Sequence, residues 1–129
     1  MKIHPDIINV PSISAYGKGW VQVAGERLTR SVVITSDGRK FEWQCARFED
    51  LTAAHFEQLA QLQTELVIFG SGEHLRFPAA ALTRALIEHQ IGIESMDTQA
   101  ACRTYNILAG EGRHVAVALL MEPSRDAEH

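Results

Sequence analysis

The sequence lacks the patterns that would place a metal, a reactive thiol or a catalytic pair. Its two cysteines, Cys45 and Cys102, form no CxxC pair, so we expect two reduced, unpaired thiols and a reducing compartment. The six histidines show no HxH or HxxxH spacing, which argues against a metal centre. No serine lies in a GxSxG motif, and no pair of acidic residues is typical of acid–base catalysis. These absences predict no metal, no cofactor and no catalytic residue.

The chain also lacks an excess of positive charge and a long apolar run. Twelve Lys and Arg against sixteen Asp and Glu leave a formal net charge of −4, whereas a nucleic-acid-binding domain normally carries a basic face. The longest apolar run, residues 115–121, is too short to cross a bilayer and predicts a buried strand. The first six residues contain no apolar signal-peptide region. We therefore expect a cytoplasmic protein that neither binds nucleic acid nor inserts into a membrane.

The length of the chain sets the number of domains. A chain of 129 residues, 46% of them hydrophobic, can bury one core without disulfides and leaves no room for two ordinary domains. We expect a single domain over residues 1–129, with an ordered core at about 10–122. The polar tail, 123–129, is expected to fray.

The first third of the chain has the pattern of β-structure. The Asp37-Gly38 pair favours a type I′ hairpin turn, in which both central residues need a positive φ. Apolar residues alternate with polar ones, or are β-branched, in the segments around this turn. These segments predict an antiparallel meander with strands at 13–16, 20–24, 31–36 and 41–45.

The remainder of the chain alternates helices with apolar strands. Thr52 can cap a first helix, Pro78 suits the first position of a second, and Asp97 or Thr98 can cap a third that ends near Ala109. Apolar strands are predicted between and after them, at 66–69, 91–96 and 113–121. This alternation predicts an α/β fold whose sheet is covered by helices on both faces, with the meander packed against it or extending it.

Polar and glycine residues cluster where two of these strands end. Gly70-Ser71-Gly72 follows one strand and Asp97-Thr98 follows the next, and ligands of open α/β sheets bind beyond such strand ends. Helical spacing places Arg103 and Asn106 on one helix edge. One interpretation is structural: a tight turn, a helix cap, and a Tyr105 ring that packs while its hydroxyl is hydrogen-bonded. The other is a binding patch with its members close together in space, formed by Gly70, Ser71, Gly72, Asp97, Thr98, Arg103, Tyr105 and Asn106.

Four short segments of the sequence together resemble a known family. They are Gly70-Ser71-Gly72, Met96-Asp97-Thr98, residues 101–108 with the sequence ACRTYNIL, and Glu111-Gly112-Arg113. They are similar to the small domain of unknown function shared with the mitochondrial respiratory complex I assembly factor three and the adipogenesis-associated cytosolic protein. The similarity covers residues 13–120, and Ser71 stands where many members have threonine. It implies a three-layer α/β fold with a central mixed sheet, no established enzymatic activity, and assembly or interaction roles in eukaryotic members.

Two functions are consistent with this sequence. The first is a cytoplasmic, non-catalytic interaction or assembly-type domain whose partner is another protein. The alternative is a small-ligand-binding protein, or an enzyme, that uses the polar cluster at the strand ends. Convergence of those side chains on a concave pocket would favour the alternative, because ligand sites are concave, and a flat arrangement would favour a protein partner.

Overall fold

A computed structural model describes residues 10–123. The chain runs through two groups of strands and three α-helices. The elements are β1 (Ile13–Gly17), β2 (Trp20–Val23), β3 (Glu26–Leu28), β4 (Val32–Thr35), β5 (Lys40–Glu42), α1 (Ala53–Ala60), β6 (Leu66–Gly70), α2 (Arg84–Glu88), β7 (Gly92–Met96), α3 (Thr98–Gly110) and β8 (Val115–Leu119), with one 3₁₀ turn at Phe48–Asp50.

The central sheet has five strands in the order β5-β4-β8-β6-β7. β4 runs antiparallel to both β5 and β8, whereas β8, β6 and β7 are parallel to one another. The two apolar runs predicted to share a sheet are therefore neighbours within it. Every residue of β8 is buried, as expected for a strand covered on both faces.

The first three strands form a second, antiparallel sheet in the order β1-β2-β3. The predicted antiparallel meander is confirmed, but β3 was not predicted, and the strand expected at 41–45 ends at Glu42. The meander also divides: its first strands pack against α3, while the β4–β5 hairpin extends the central sheet. The predicted α/β architecture, with helices on both faces of a mixed central sheet, is confirmed as well.

The side-chain alternation of the central strands separates two cores. Val115, Val117 and Leu119 face α3 and the small sheet, whereas Ala116 and Ala118 face α1 and α2. Each core also holds one free cysteine: Cys102 lies in the first and Cys45 in the second.

The hairpin turn after β4 differs from the predicted type. Gly38 has a φ of +107°, but Asp37 does not have the positive φ that a type I′ turn needs. Gly38 N donates to Thr35 O (3.1 Å) and Thr35 N to Arg39 O (2.9 Å), which makes a three-residue loop. The aspartate stays in an ordinary conformation because one glycine suffices to reverse this longer loop.

The second helix is much shorter than predicted. α2 begins at Arg84 instead of Pro78, and Ala79 to Ala81 are exposed in a series of turns. A helix there would have no apolar face to bury, and short helices depend on such packing. The predicted frayed tail lies, after Pro123, outside the described residues. Within residues 10–123, each helix is too short or too polar to span a bilayer.

Candidate functional site

A cavity of about 700 Å³ opens where the three parallel strands end. The chain leaves β6 towards α2 on one face of the sheet and leaves β7 towards α3 on the other. This divergence opens a crevice at the carboxyl edge, which is where open α/β sheets hold ligands. The ionisable side chains that line the cavity come from the strand ends, the β1–β2 turn and the segment after β5: Lys18, Arg47, Glu49, Glu73, His74, Arg76, Asp97 and Glu122.

The two predicted strand-end turns are joined by hydrogen bonds. Ser71 is fully buried, and its N–H donates to Met96 O (2.9 Å). Gly72 N donates to Thr98 Oγ1 (3.0 Å), and Thr98 N donates back to Gly72 O (2.8 Å). The predicted proximity of these turns is therefore found, although Ser71 lies behind the cavity wall and does not line it.

The two glycines beside Ser71 are needed for different reasons. A Cβ at Gly70 would lie 2.8 Å from Leu119 Cδ2 and 3.1 Å from Ala101 Cβ, so glycine here lets α3 pack closely on β6. Gly72 has a φ of +103°, which side chains disfavour, and a Cβ there would lie 2.9 Å from Arg76 Nη2.

Asp97 begins α3 as its N-cap. Its Oδ1 accepts a hydrogen bond from Ala100 N (3.0 Å), which is the predicted capping role. The carboxylate is half-buried and lines the cavity, where its negative charge complements the positive end of the helix.

The other three predicted site residues lie away from the cavity. Arg103 Nη1 donates to Tyr16 OH (3.2 Å), and the Asn106 side chain bonds to the backbone of Ile13. Tyr105 is fully buried, its hydroxyl donates to Pro11 O (2.7 Å), and burial raises its pKa. Arg103 and Asn106 lie about one and two turns beyond the start of α3, and neither lines the cavity. α3 runs back from the carboxyl edge, so a rise of about 1.5 Å per residue carries these positions away from it.

An ion pair that the sequence analysis did not predict forms the opposite wall of the cavity. Arg76 Nη2 lies 2.6 Å from Glu122 Oε1, and Arg76 Nε donates to Ser71 O (3.1 Å). The guanidinium also lies 4.6 Å from the centre of the Phe48 ring, and Phe48 N donates to Glu122 Oε2 (2.9 Å). Glu122 follows β8 as Gly72 follows β6. The expectation that site residues lie just beyond the strand ends, applied also to β8, would therefore have identified Glu122. No local pattern marks Arg76.

Several charged side chains of the cavity already have partners within the protein. Arg76 pairs with Glu122, Lys18 Nζ lies 3.4 Å from Glu73 Oε1, and Asp97 caps α3. Burial raises the pKa of the Cys102 thiol to about 12 and that of Cys45 to about 11, so both thiols are protonated near neutral pH and are poor nucleophiles. Within residues 10–123, no group of three or more His, Cys, Asp and Glu side chains is placed to hold a metal ion.

The Glu122 carboxyl links this ion pair to the stability of the fold at acid pH. Burial tends to raise its pKa, but hydrogen bonds from Arg76 and Phe48 and the charge of Arg76 outweigh burial and lower it below the ordinary 4.5. The ionised carboxylate therefore stabilises the fold above pH 4.5, and this contribution is lost as the pH falls through the lowered folded-state pKa.

We expect Glu122→Gln to make the protein less stable at pH 7 and less sensitive to acid. The difference in melting temperature between wild type and variant should shrink as the pH falls below 4.5, because wild type then loses the same charge. Melting curves from pH 7 to pH 3 measure this, with the exposed Glu88→Gln as a control. Parallel curves for Glu122→Gln and wild type over the whole range would contradict the expectation.

Comparison with known proteins gives a family and solved relatives. Residues 13–120 match the model of a family described as "Protein of unknown function (DUF498/DUF598)". The bovine protein named NADH dehydrogenase (ubiquinone) 1 alpha subcomplex assembly factor 3 is 31% identical over 88 residues, which are 67% of this chain and 48% of that protein. This chain thus spans about half the length of that relative. The family resemblance predicted from the sequence is confirmed.

Two solved structures share the whole fold. A crystal structure of a Bordetella parapertussis protein has 37% identity and a TM-score of 0.82, covering 88% of this chain and 97% of that one. An NMR structure of a Bordetella pertussis protein, described as an Mth938-like domain, has 30% identity and a TM-score of 0.80, covering 100% and 98%.

Proposed function

Because this chain belongs to the DUF498/DUF598 family, we propose that it shares the assembly-type role for which its mammalian relatives are named. In this proposal it acts in the cytoplasm as a non-catalytic domain that binds another protein. The two ion pairs among the cavity side chains and the protonated state of both thiols support a binding role over a catalytic one.

The observation that carries the proposal is an exposed apolar pair held in a fixed loop. Leu75 is 53% exposed and Phe77 is 69% exposed, in the irregular segment between β6 and α2. The residue between them is anchored, because Arg76 N donates to Ser71 Oγ (2.9 Å) and its side chain pairs with Glu122. Exposed large apolar side chains on either side of an anchored residue are typical of protein-binding surfaces, where aromatic residues dominate the affinity.

The test compares two exposed apolar residues on different surfaces. We expect Phe77→Ser to abolish retention of a specific protein from lysate of the native cell, whereas Ile107→Ser should retain it. Ile107 is 61% exposed on α3 and serves as the matched control. Quantitative mass spectrometry of the retained proteins, with melting curves of both variants, measures the effect. Equal loss by both variants, or no protein retained above an unrelated domain, would contradict the proposal.

A small ligand in the cavity is the second candidate function. The volume of the cavity, about 700 Å³, and its position at the carboxyl ends of the parallel strands favour this function. Gln99 is exposed in the first turn of α3 and lines the cavity, so the larger side chain of Gln99→Trp would obstruct part of it. A compound that raises the melting temperature of wild type and of Phe77→Ser, but not of Gln99→Trp, would assign a ligand to the cavity. Stabilisation that persists in Gln99→Trp would place the compound elsewhere.

A further inference from the structure

The two outer strands of the central sheet are protected to very different degrees. β5 has only three residues, carries Lys40, and is linked to β3 by the ion pair between Lys40 Nζ and Glu26 Oε1 at 3.6 Å. Short length and lysine are both common means of preventing an edge strand from pairing with another chain.

β7, at the other edge, has none of these protections. Its five residues pair with β6 without interruption, from Gly92 opposite Leu66 to Met96 opposite Gly70. It contains no proline, no lysine and no bulge. Within residues 10–123, no strand pairs with its outer side. A regular edge of this kind is ready to accept a further strand.

The register of β7 shows which backbone groups face outwards. Gly92 N donates to Glu65 O (3.2 Å) and Met96 O accepts from Ser71 N (2.9 Å), so the backbone groups of these two residues point towards β6. Because the direction alternates along a strand, the N–H and C=O groups of Ile93 and Ser95 point to the open edge. Each is an obligatory hydrogen-bonding group that another strand can satisfy.

The side chains of β7 indicate what such a strand would carry. Glu94 is exposed and has no ion-pair partner among residues 10–123. Ile93 lies on the opposite face and packs, partly buried, against the core of α1 and α2. A strand with a basic residue opposite Glu94 and apolar residues on the Ile93 face would complement both.

We propose that the outer edge of β7 binds an extended segment of a partner protein in which Lys or Arg alternates with apolar residues, by addition of a strand to the central sheet. This rests on the proposed role as an interaction domain but names a surface distinct from Leu75 and Phe77. A second copy of this chain fits less well. Antiparallel pairing of the two full β7 strands would place both Glu94 side chains directly opposite each other, and like charges there are destabilising.

The probe for this edge is a capped peptide with the sequence Thr-Val-Lys-Val-Lys-Val-Thr, with a glutamate-for-lysine peptide as its control. We expect the lysine peptide to slow hydrogen exchange of the Ile93 and Ser95 amides of the full chain, measured by NMR. Ser95→Pro should weaken binding by about tenfold or more, because proline removes the outward N–H and its ring blocks the edge. The β6–β7 hydrogen bonds should survive, since Ser95 N does not face β6.

Charge reversal provides the second arm of this experiment. Glu94→Lys should weaken binding of the lysine peptide about two- to fivefold and strengthen that of the glutamate peptide. Glu88→Lys, an exposed charge reversal in α2, should change neither. Phe77→Ser should still bind the peptide, so failure of this proposal and failure of the Phe77 surface are separable.

Three results would overturn the proposal. One is slow exchange of the Ile93 and Ser95 amides in the free chain at low concentration, which would mean that the edge is already covered. A second is slowing that depends only on protein concentration, which would make a second copy the occupant. The third is absence of any peptide-induced change at these amides up to millimolar peptide.

Discussion

Replacement of Trp43 by alanine is expected to lower the free energy of unfolding by about 3–5 kcal/mol, the usual cost of deleting a large buried aromatic side chain. Trp43 is 1% exposed. Its ring packs edge-on against Phe56 and Phe69, with ring centres 6.1 Å apart in each case. The loss should be visible as an earlier midpoint in urea, followed by far-UV circular dichroism.

Two further tryptophan variants separate lost packing from lost polarity. The Trp43 Nε1 atom is buried without a hydrogen-bond partner among residues 10–123, so Trp43→Phe keeps an aromatic ring and removes an unsatisfied donor. We expect it to cost less than Trp43→Ala, because it deletes only part of the ring system and leaves a smaller cavity. Trp20→Ala, which removes a partly exposed ring under the Arg27 guanidinium, should cost about 1 kcal/mol. A Trp43→Ala loss no larger than that of Trp20→Ala would contradict the central role of Trp43.

The same aromatic cluster supports the wall of the cavity. Phe69 contacts the Phe48 ring, with centres 6.3 Å apart, and Phe48 in turn lies under the Arg76 guanidinium. Loss of the Trp43 ring removes the packing behind Phe69 and, through it, behind Phe48. We therefore expect Trp43→Ala also to weaken any binding that depends on the anchored loop around Arg76.

The strand-end turns could be predicted because the features that place them are local. Apolar runs identify β6 and β8, and glycines or a capping aspartate mark where β6 and β7 end. Parallel neighbours then bring Ser71 and Thr98 to one edge by geometry alone. The positions of these two turns could therefore be predicted from nearby residues.

The contacts of Arg76 and Asn106 could not be predicted because they join distant parts of the chain. The Arg76–Glu122 pair spans 46 residues and the Asn106–Ile13 contact spans 93. Their formation depends on the path of the loop after β6 and on where the small sheet packs, which spacing along the chain does not encode. The prediction that a helix begins at Pro78 failed for a related reason. Proline suits the first position of a helix, but no helix forms where there is no apolar face to bury.

A second large effect is expected at Asn106, where a predicted binding residue has a structural contact. Ile13 N donates to Asn106 Oδ1 (2.8 Å), and Asn106 Nδ2 donates to Ile13 O (2.9 Å). The β1–β2 register shifts between Ile13 and Ala15. At this irregularity the Asn106 amide makes the two backbone hydrogen bonds that a neighbouring strand would otherwise make. Asn106→Ala leaves one partly buried donor and one acceptor unpaired, and we expect a loss of about 2–4 kcal/mol.

Arg103→Ala is the matched control on the same helix edge, because Arg103 is exposed and, within residues 10–123, its side chain donates a hydrogen bond only to the Tyr16 hydroxyl. Its melting temperature should stay close to that of wild type. Amide exchange in Asn106→Ala should rise first in β1 and β2, while β6 and β8 remain protected, because the lost bonds hold the small sheet to α3. If Asn106→Ala melted like wild type but lost the protein retained by Ile107→Ser, Asn106 would belong to the binding surface instead. The structural interpretation of this helix edge would then fail.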